Sequence, residues 1–168
     1  MTNLEIERKY VIEKPQIDKM RECGAYTSSE IVQIYLDAEP GVTRRVRSRA
    51  HADGRVQYFE TEKRKIDEMS AEEREREIIK AEFDNFSLQI AQETRPITKT
   101  RHTFDYLGQT FEIDIYPEWE RTCIMETEIP SRDTEVKMPS FIRILADVTG
   151  DKRYSNASMS RKFPEEIR

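Results

Sequence analysis

Charged side chains recur at every second position in seven segments of this chain: Glu5, Glu7 and Lys9; Arg45, Arg47 and Arg49; Lys63 and Lys65; Glu75 and Glu77; Lys99 and Arg101; Glu112 and Asp114; Glu126 and Glu128. A period of two is that of a β-strand, whose successive side chains point to opposite faces. In FEIDIY the intervening Phe111, Ile113 and Ile115 are apolar and need burial, so the charged face is not the packing face. For any one strand such a face is most simply the solvated outside of a sheet. Seven repetitions, some nearly all basic and others nearly all acidic, instead suggest charged faces converging on a polar interior. A closed barrel provides one, because inward and outward positions alternate along every strand while helices or loops cover the apolar exterior.

Composition narrows what that interior serves. The 168 residues fit one domain over 1–168, and seven Phe, seven Tyr and one Trp among periodic Ile, Val and Leu supply enough apolar area for a core. With 33 acids against 28 bases, the net charge of −5 disfavours a general nucleic-acid binder, whose affinity rests on excess Lys and Arg. No apolar run approaches the ~18 residues of a membrane span, and the opening MTNLEIERKY lacks the apolar core of a signal peptide, so a cytoplasmic protein is expected. Cys23 and Cys123 are too far apart for a metal knuckle, and His51 and His102 have no HxxxH or CxxC partner.

Short helices are expected over 15–23, 82–93 and 141–147, and after Tyr154, where Ser155 or Asn156 can cap. Strands are expected over 55–65 and 98–115, the latter a hairpin turning at Leu107 and Gly108.

A lumen that mixes cations and carboxylates suits phosphate chains carried with a divalent metal. Lys9, Arg45, Arg47, Arg49, Lys63, Lys65, Lys99 and Arg101 can clamp phosphoryl groups, Arg as a fork and Lys as a compact charge. The carboxylates would repel such a ligand unless they hold Mg²⁺ or Mn²⁺, hard cations that prefer oxygen. No GxxxxGK loop is present, so phosphate binding of the P-loop kind is excluded.

Eight segments in order carry a resemblance to a known family: EIERK, IVQIYL, RRVRSR, FETEK, ITKTRH, FEIDIY, METEI and VTGDKRYSN. The chain resembles the CYTH superfamily, the triphosphate tunnel metalloenzymes, over almost its whole length. That resemblance implies an α+β fold: a closed antiparallel eight-stranded tunnel with helices outside and a C-terminal helix near one end. It implies a small-molecule triphosphate substrate, with Glu5, Glu7, Asp114, Glu126 and Glu128 around one or two Mg²⁺ or Mn²⁺ ions. Lys9, Arg45, Arg47, Lys63, Lys99 and Arg101 would bind phosphate, and Lys9 and Tyr35 match the pair that activates water in the bacterial hydrolases. Arg153, beside the tyrosine of the YSN segment, is expected either on the distal phosphate or at the surface, and Trp119 either stacked on a substrate or packed in the protein. Arg49 and Lys65 extend the basic faces beyond the family's usual pairs. In EEREREI a register slip of one residue exchanges Glu75 and Glu77 for Arg74 and Arg76, so the inward set there is open.

Inorganic tripolyphosphate is the expected substrate. Thiamine or nucleoside triphosphate hydrolysis and class IV adenylate cyclase chemistry are the alternatives within the family, and a non-catalytic polyphosphate or nucleotide sensor is the alternative outside enzymes. Neither a nucleic-acid nor a membrane partner is expected, and a homodimer is left open.

Overall fold

The computed structural model describes residues 2–168. Nine strands form in chain order: β1 (Thr2–Glu13), β2 (Gly24–Leu36), β3 (Val42–His51), β4 (Val56–Lys65), β5 (Ser70–Ile78), β6 (Ile97–Tyr106), β7 (Gln109–Ile115), β8 (Thr122–Glu128) and β9 (Ile144–Asp147). Between and after them lie three short helices, α1 (Ile17–Arg21), α2 (Lys80–Ser87) and α3 (Asn156–Met159). The first eight strands run β5-β4-β3-β2-β6-β7-β8-β1, and β1 returns to β5, closing an eight-stranded antiparallel barrel.

Closure is achieved by one strand dividing its edges. Residues 2–6 of β1 pair with residues 70–74 of β5, whereas Glu7–Glu13 pair with β8. Beyond the β5 contact, the same edge of β1 takes β9, with Tyr10 opposite Asp147 and Ile12 opposite Ile144. This corrects the helix expected over 141–147. The apolar spacing there is compatible with a helical stripe, but the free backbone edge of β1 offers ladder hydrogen bonds that a helix would leave unmade. The helix expected over 82–93 is likewise shorter: it ends with α2, and Ile90 bridges to Leu36 while the Ala91 N–H donates to the Tyr35 carbonyl. The hairpin turn falls at Leu107 and Gly108, with φ of 48° and 78°, two left-handed residues in succession as a tight turn between twisted strands demands.

Apolar residues divide by strand phase. Tyr10, Ile12, Phe104, Phe111, Ile113, Cys123 and Met125 face outward and are covered by Met20 of α1 and by Ile142. Ile34, Leu36, Val46 and Ile78 face outward beneath Phe83 and Phe86 of α2. A third cluster has the opposite phase: Val11, Tyr35, Ile97, Tyr116 and Ile124 continue the inward-facing rows and meet Tyr154, Met159 and Trp119 at one end of the barrel. The lumen therefore has an apolar floor.

The chain after α3 straps that floor in place. Phe163 packs edge-on against Tyr116 and Trp119, and Trp119 Nε1 donates to the Pro164 carbonyl. Glu166 accepts from the backbone N–H groups of Arg121, Thr122 and Glu120, which hold its carboxyl down at about 2. Among the described residues, no helix is long and apolar enough to cross a membrane.

Phe111 is fully buried against Phe104, ring centroids 5.6 Å apart. Phe111→Ala should lower stability by about 3–5 kcal/mol through lost burial and the cavity left behind. A fall in the urea midpoint with unchanged slope would show it; an unchanged midpoint would mean that this outer core does not hold the wall.

Candidate functional site

The inward phase of the strands places the predicted charges on one cavity of about 710 Å³. Glu5, Glu7 and Lys9 of β1, Arg45 and Arg47 of β3, Lys63 of β4, Lys99 and Arg101 of β6, and Glu126 and Glu128 of β8 all line it, as does Tyr35 of β2. Side-chain exposure rises from 0 % at Lys99, through 13 % at Glu126 and 14 % at Lys9, to 36 % at Glu112. The lysine row nearest the floor is thus dry and the acidic row farthest from it is wet. Ser155–Ser158, at the start of α3, form part of the closed end, where Lys9 Nζ donates to the Tyr154 carbonyl and Lys99 Nζ to Asn156 Oδ1.

Several placements refine the sequence reading. In β5 it is Glu73 and Glu75 that line the cavity, and Thr61 Oγ1 donates to Glu75 Oε2. Arg76 turns outward to Glu60 and Glu82. Glu73 was not anticipated although it shares the phase of Glu75; the mixed charges of EEREREI hid the register. Lys65 lines the cavity, and Arg49 faces inward with its Nε donating to Ser29 Oγ. Arg153, expected either on the distal phosphate or at the surface, has a side chain 73 % exposed and ion-paired to Asp151, while Lys152 is the residue of that segment on the cavity wall. Trp119 is packing, 3 % exposed among Tyr116, Tyr154 and Phe163.

Asp114, expected as a metal ligand, lies behind the basic row with both oxygens taken. Lys99 Nζ is 2.7 Å from Oδ2, and Arg101 donates through Nε to Oδ1 at 2.7 Å and through Nη2 to Oδ2 at 2.9 Å. Burial alone would raise this carboxyl, but Arg101 and Lys99 outweigh it and hold it far below the carboxylate range. Asp114 thus pairs with both bases in this structure.

The same burial leaves the floor short of anions. It pushes Lys99 down to about 7 against the pull of Asp114, with Arg101 and Arg47 acting in the same sense as burial. Arg47 is pushed down to about 9 by burial, then by Arg45 and Arg101. Higher up the signs reverse. Burial would lower Lys9, yet Glu126, 3.2 Å away, and Glu7 keep it above its ordinary value. Burial, reinforced by Glu126, lifts Glu7 to about 8; burial also acts to raise Glu126, but Lys9 holds it at about 2.

Two carboxylates forced together, with Glu5 and Glu128 on the same wall, supply hard oxygen donors of the kind a divalent cation prefers. Among the described residues no cluster of three or more acids stands ready as a cage, because lysines intervene: Lys9 at Glu126 and Lys63 at Glu5, 2.8 Å apart. Metal binding here would displace ammonium groups that are then free for phosphate. Among the described residues no hydrogen bond joins Lys9 to Tyr35.

These shifts fix a pH dependence for the metal-free protein. Glu7 keeps its proton in the folded state to about pH 8, whereas the unfolded chain loses it near ~4.3, so its contribution to stability declines as pH rises through that window. Glu126, depressed to about 2, contributes stability that is present above the unfolded value and lost as pH falls toward 2. Above pH 7 the depressed Lys99 opposes Glu7, since only the unfolded chain then binds that proton. The urea midpoint should therefore peak at about pH 4–5 and decline toward 7, and Glu7→Gln should flatten that decline while leaving the acid limb. Parallel profiles for the two proteins would show that Glu7 is not held protonated.

No protein-family model and no curated protein sequence matches the chain. Solved structures do. The inorganic triphosphatase NE1496 aligns over 95 % of this chain and 96 % of its own, with 25 % identity and a TM-score of 0.60. A second crystal structure of NE1496, there described as a hypothetical protein, gives 26 % identity and a TM-score of 0.58 over 95 % of this chain and 99 % of its own. HpAC1 from Hippeastrum, a putative adenylyl cyclase with a dominant triphosphatase activity, shares the fold at 13 % identity and a TM-score of 0.52, over 75 % of this chain and 80 % of its own. The closed eight-stranded antiparallel tunnel and the full-length similarity to NE1496 are both consistent with the CYTH superfamily, whose eight motifs the chain carries in order.

Proposed function

We propose that this tunnel is a triphosphatase that cleaves a phosphoanhydride bond of inorganic tripolyphosphate in the presence of Mg²⁺ or Mn²⁺. The observation that carries the reading is the buried excess of cations on the floor: Lys99 and Arg101 share Asp114, Arg47 is bonded to the neutral Gln33, and burial lowers the proton affinity of Lys99 and Arg47. An anion with several charges relieves that excess. Similarity to NE1496 supports the same class of reaction.

Arg45, Arg47, Lys63, Lys99 and Arg101 would bind the phosphate chain, with Lys9 at the junction of basic and acidic rows. Glu5, Glu7, Glu126 and Glu128 would hold the divalent ion, with Glu73 beside them; when bound, such an ion polarises phosphoryl oxygens and offsets their charge. Asp114 positions Lys99 and Arg101 rather than ligating. Tyr35 and Lys9 would orient and deprotonate the attacking water. In the structure Glu126 and Glu7 keep Lys9 an ammonium, so it becomes a base only when those carboxylates are drawn off it. Among the described residues Tyr35 is the one aromatic side chain on the cavity wall, so the wall offers no platform for stacking a nucleobase or thiazole ring. That favours an inorganic chain over nucleoside or thiamine triphosphates. The reading needs only the single domain of residues 1–168, acting in the cytoplasm without nucleic acid or membrane.

Purified protein should release phosphate from tripolyphosphate faster than from ATP, GTP or thiamine triphosphate, require Mg²⁺ or Mn²⁺, stop on addition of chelator, and form no cyclic AMP from ATP. Lys9→Ala and Tyr35→Phe should each lower the rate at saturating metal by about 10²-fold or more. Tight binding of tripolyphosphate with no turnover of any of these substrates would instead make the protein a sensor, and undiminished rates in both variants would remove the Lys9 and Tyr35 assignment.

A further inference from the structure

Gln33 is an uncharged side chain buried at 0 % exposure inside a lumen of charges. It lies on β2 two residues before Tyr35, hence on the same face. Its amide has two neighbours of unequal chemistry. Arg47 donates to Gln33 Oε1 twice, from Nε at 3.0 Å and from Nη2 at 2.6 Å. On the other side Gln33 Nε2 lies 3.0 Å from the Tyr35 hydroxyl.

The unequal partners determine which end of the amide faces which. A guanidinium has donors only, so the amide oxygen must face Arg47 and the amide nitrogen must face Tyr35. An NH₂ group donates, so the Tyr35 oxygen accepts. The Arg45 guanidinium, another pure donor, also faces that oxygen. With donors on these sides, the Tyr35 hydrogen cannot be spent on either neighbour, and among the described residues the hydroxyl has no protein acceptor. Tyr35 lines the cavity, so the remaining direction for its O–H is the lumen.

We propose that Gln33 is a positioning residue that aims the Tyr35 O–H into the tunnel, toward the water or phosphate oxygen bound there. The role rests on the triphosphatase reading for its catalytic consequence, but the direction of the hydroxyl does not. A carboxamide is suited to this task because it accepts from Arg47 and donates to Tyr35 at once. A carboxylate of the same length would accept from both: Glu at position 33 would keep the Arg47 contact, as a charge-assisted pair, and turn the Tyr35 hydrogen away from the lumen.

The test uses Gln33→Glu, Tyr35→Phe and the double variant in the full chain. Hydroxyl-proton exchange of Tyr35 is read in metal-free, substrate-free protein labelled at tyrosine ¹³Cζ, with Tyr35→Phe identifying the signal. A hydrogen facing the lumen exchanges quickly; in Gln33→Glu it should slow by about tenfold or more because it is bound to a buried carboxylate. Turnover of tripolyphosphate is then compared at saturation. Gln33→Glu should lower kcat about as far as Tyr35→Phe does, and adding Tyr35→Phe to Gln33→Glu should cost less than about twofold more, the non-additivity expected of two groups acting as one. The extra charge raises KM equally in both Gln33→Glu proteins and so drops out of the kcat comparison.

Unchanged hydroxyl exchange in Gln33→Glu would overturn the proposal whatever the kinetics. Slowed exchange with no turnover in the unsubstituted protein would uphold the hydroxyl's direction and defeat the triphosphatase reading instead. An equal kcat loss from Tyr35→Phe in both backgrounds would overturn the positioning role. If Gln33→Glu fails to fold, Gln33→Met, which neither donates nor accepts strongly, should show the same kinetic non-additivity, and additive losses there would overturn the role equally.

Discussion

Pairing of β1 with β5 is the constraint on which the rest of the molecule depends. Residues 2–6 of one strand join the two ends of the sheet, and that join makes the charged rows a shared interior instead of a solvated face. An open sheet would leave Lys99 and Arg101 as ordinary surface cations, each worth little to a ligand in water of high dielectric. Once the ring is closed, every second residue of eight strands points at the others, and each charge must find a partner within the lumen or remain unbalanced. The outward rows can then be apolar, and the short helices and the β9 segment are needed mainly to cover them.

Balance is reached unevenly along the tunnel. Acids and bases near Glu7, Glu126, Lys9 and Lys63 interleave, so each cation there has a carboxylate within reach. Toward the floor Asp114 serves both Lys99 and Arg101, Arg101 takes Glu112 as a second partner, and Arg47 is bonded to the neutral Gln33. The apolar cluster of Val11, Ile97, Tyr116 and Ile124 below it excludes the water that would otherwise dilute this imbalance. The arrangement is preorganised in the sense that matters for phosphoryl chemistry: donors are fixed and dehydrated before the charge they serve arrives. Gln33 fits this pattern as the neutral group that holds Arg47 in place without cancelling its charge.

Much of this was legible in the sequence, because strand periodicity is a local property. FEIDIY and METEI show their inward and outward sets directly, and the tunnel lining follows once closure is assumed. Closure itself is a long-range pairing and rested on repetition and resemblance. Local reading failed where charge signs mix, as in EEREREI, and where an apolar stripe fits two periods. Residues 141–147 form a strand only because β1 leaves an edge free beside them, which no window of seven residues can reveal. Arg153 stayed open between phosphate and surface for a similar reason: its pairing with Asp151, which caps the turn before α3, is not visible in a strand pattern. The pairing of Asp114 was hidden because a carboxylate two residues from Glu112 shows nothing of Lys99 and Arg101 until the distances are known. The apolar floor was visible in principle, since Val11, Ile97, Tyr116 and Ile124 simply extend the inward rows by one step.

The shifted proton affinities of the lumen and the binding proposed for it have one origin. A group whose proton affinity is distorted by burial and by like charges carries unfavourable free energy in the empty protein, and any ligand that restores the missing countercharge recovers it on binding. Glu7 is raised by burial and by Glu126, and Lys99 is lowered by burial and by Arg101 and Arg47, within one lumen. A metal ion at the acidic rows alone would relieve the first and leave the second; a phosphate chain alone would do the reverse and meet the carboxylates as it passed. The complex of the two relieves both and places its opposite charges in the order the tunnel presents them. Under the proposed triphosphatase reading, the polarity of the lumen would itself be a recognition element, favouring a metal-bound polyanion over either component, with the phosphate end toward Lys99.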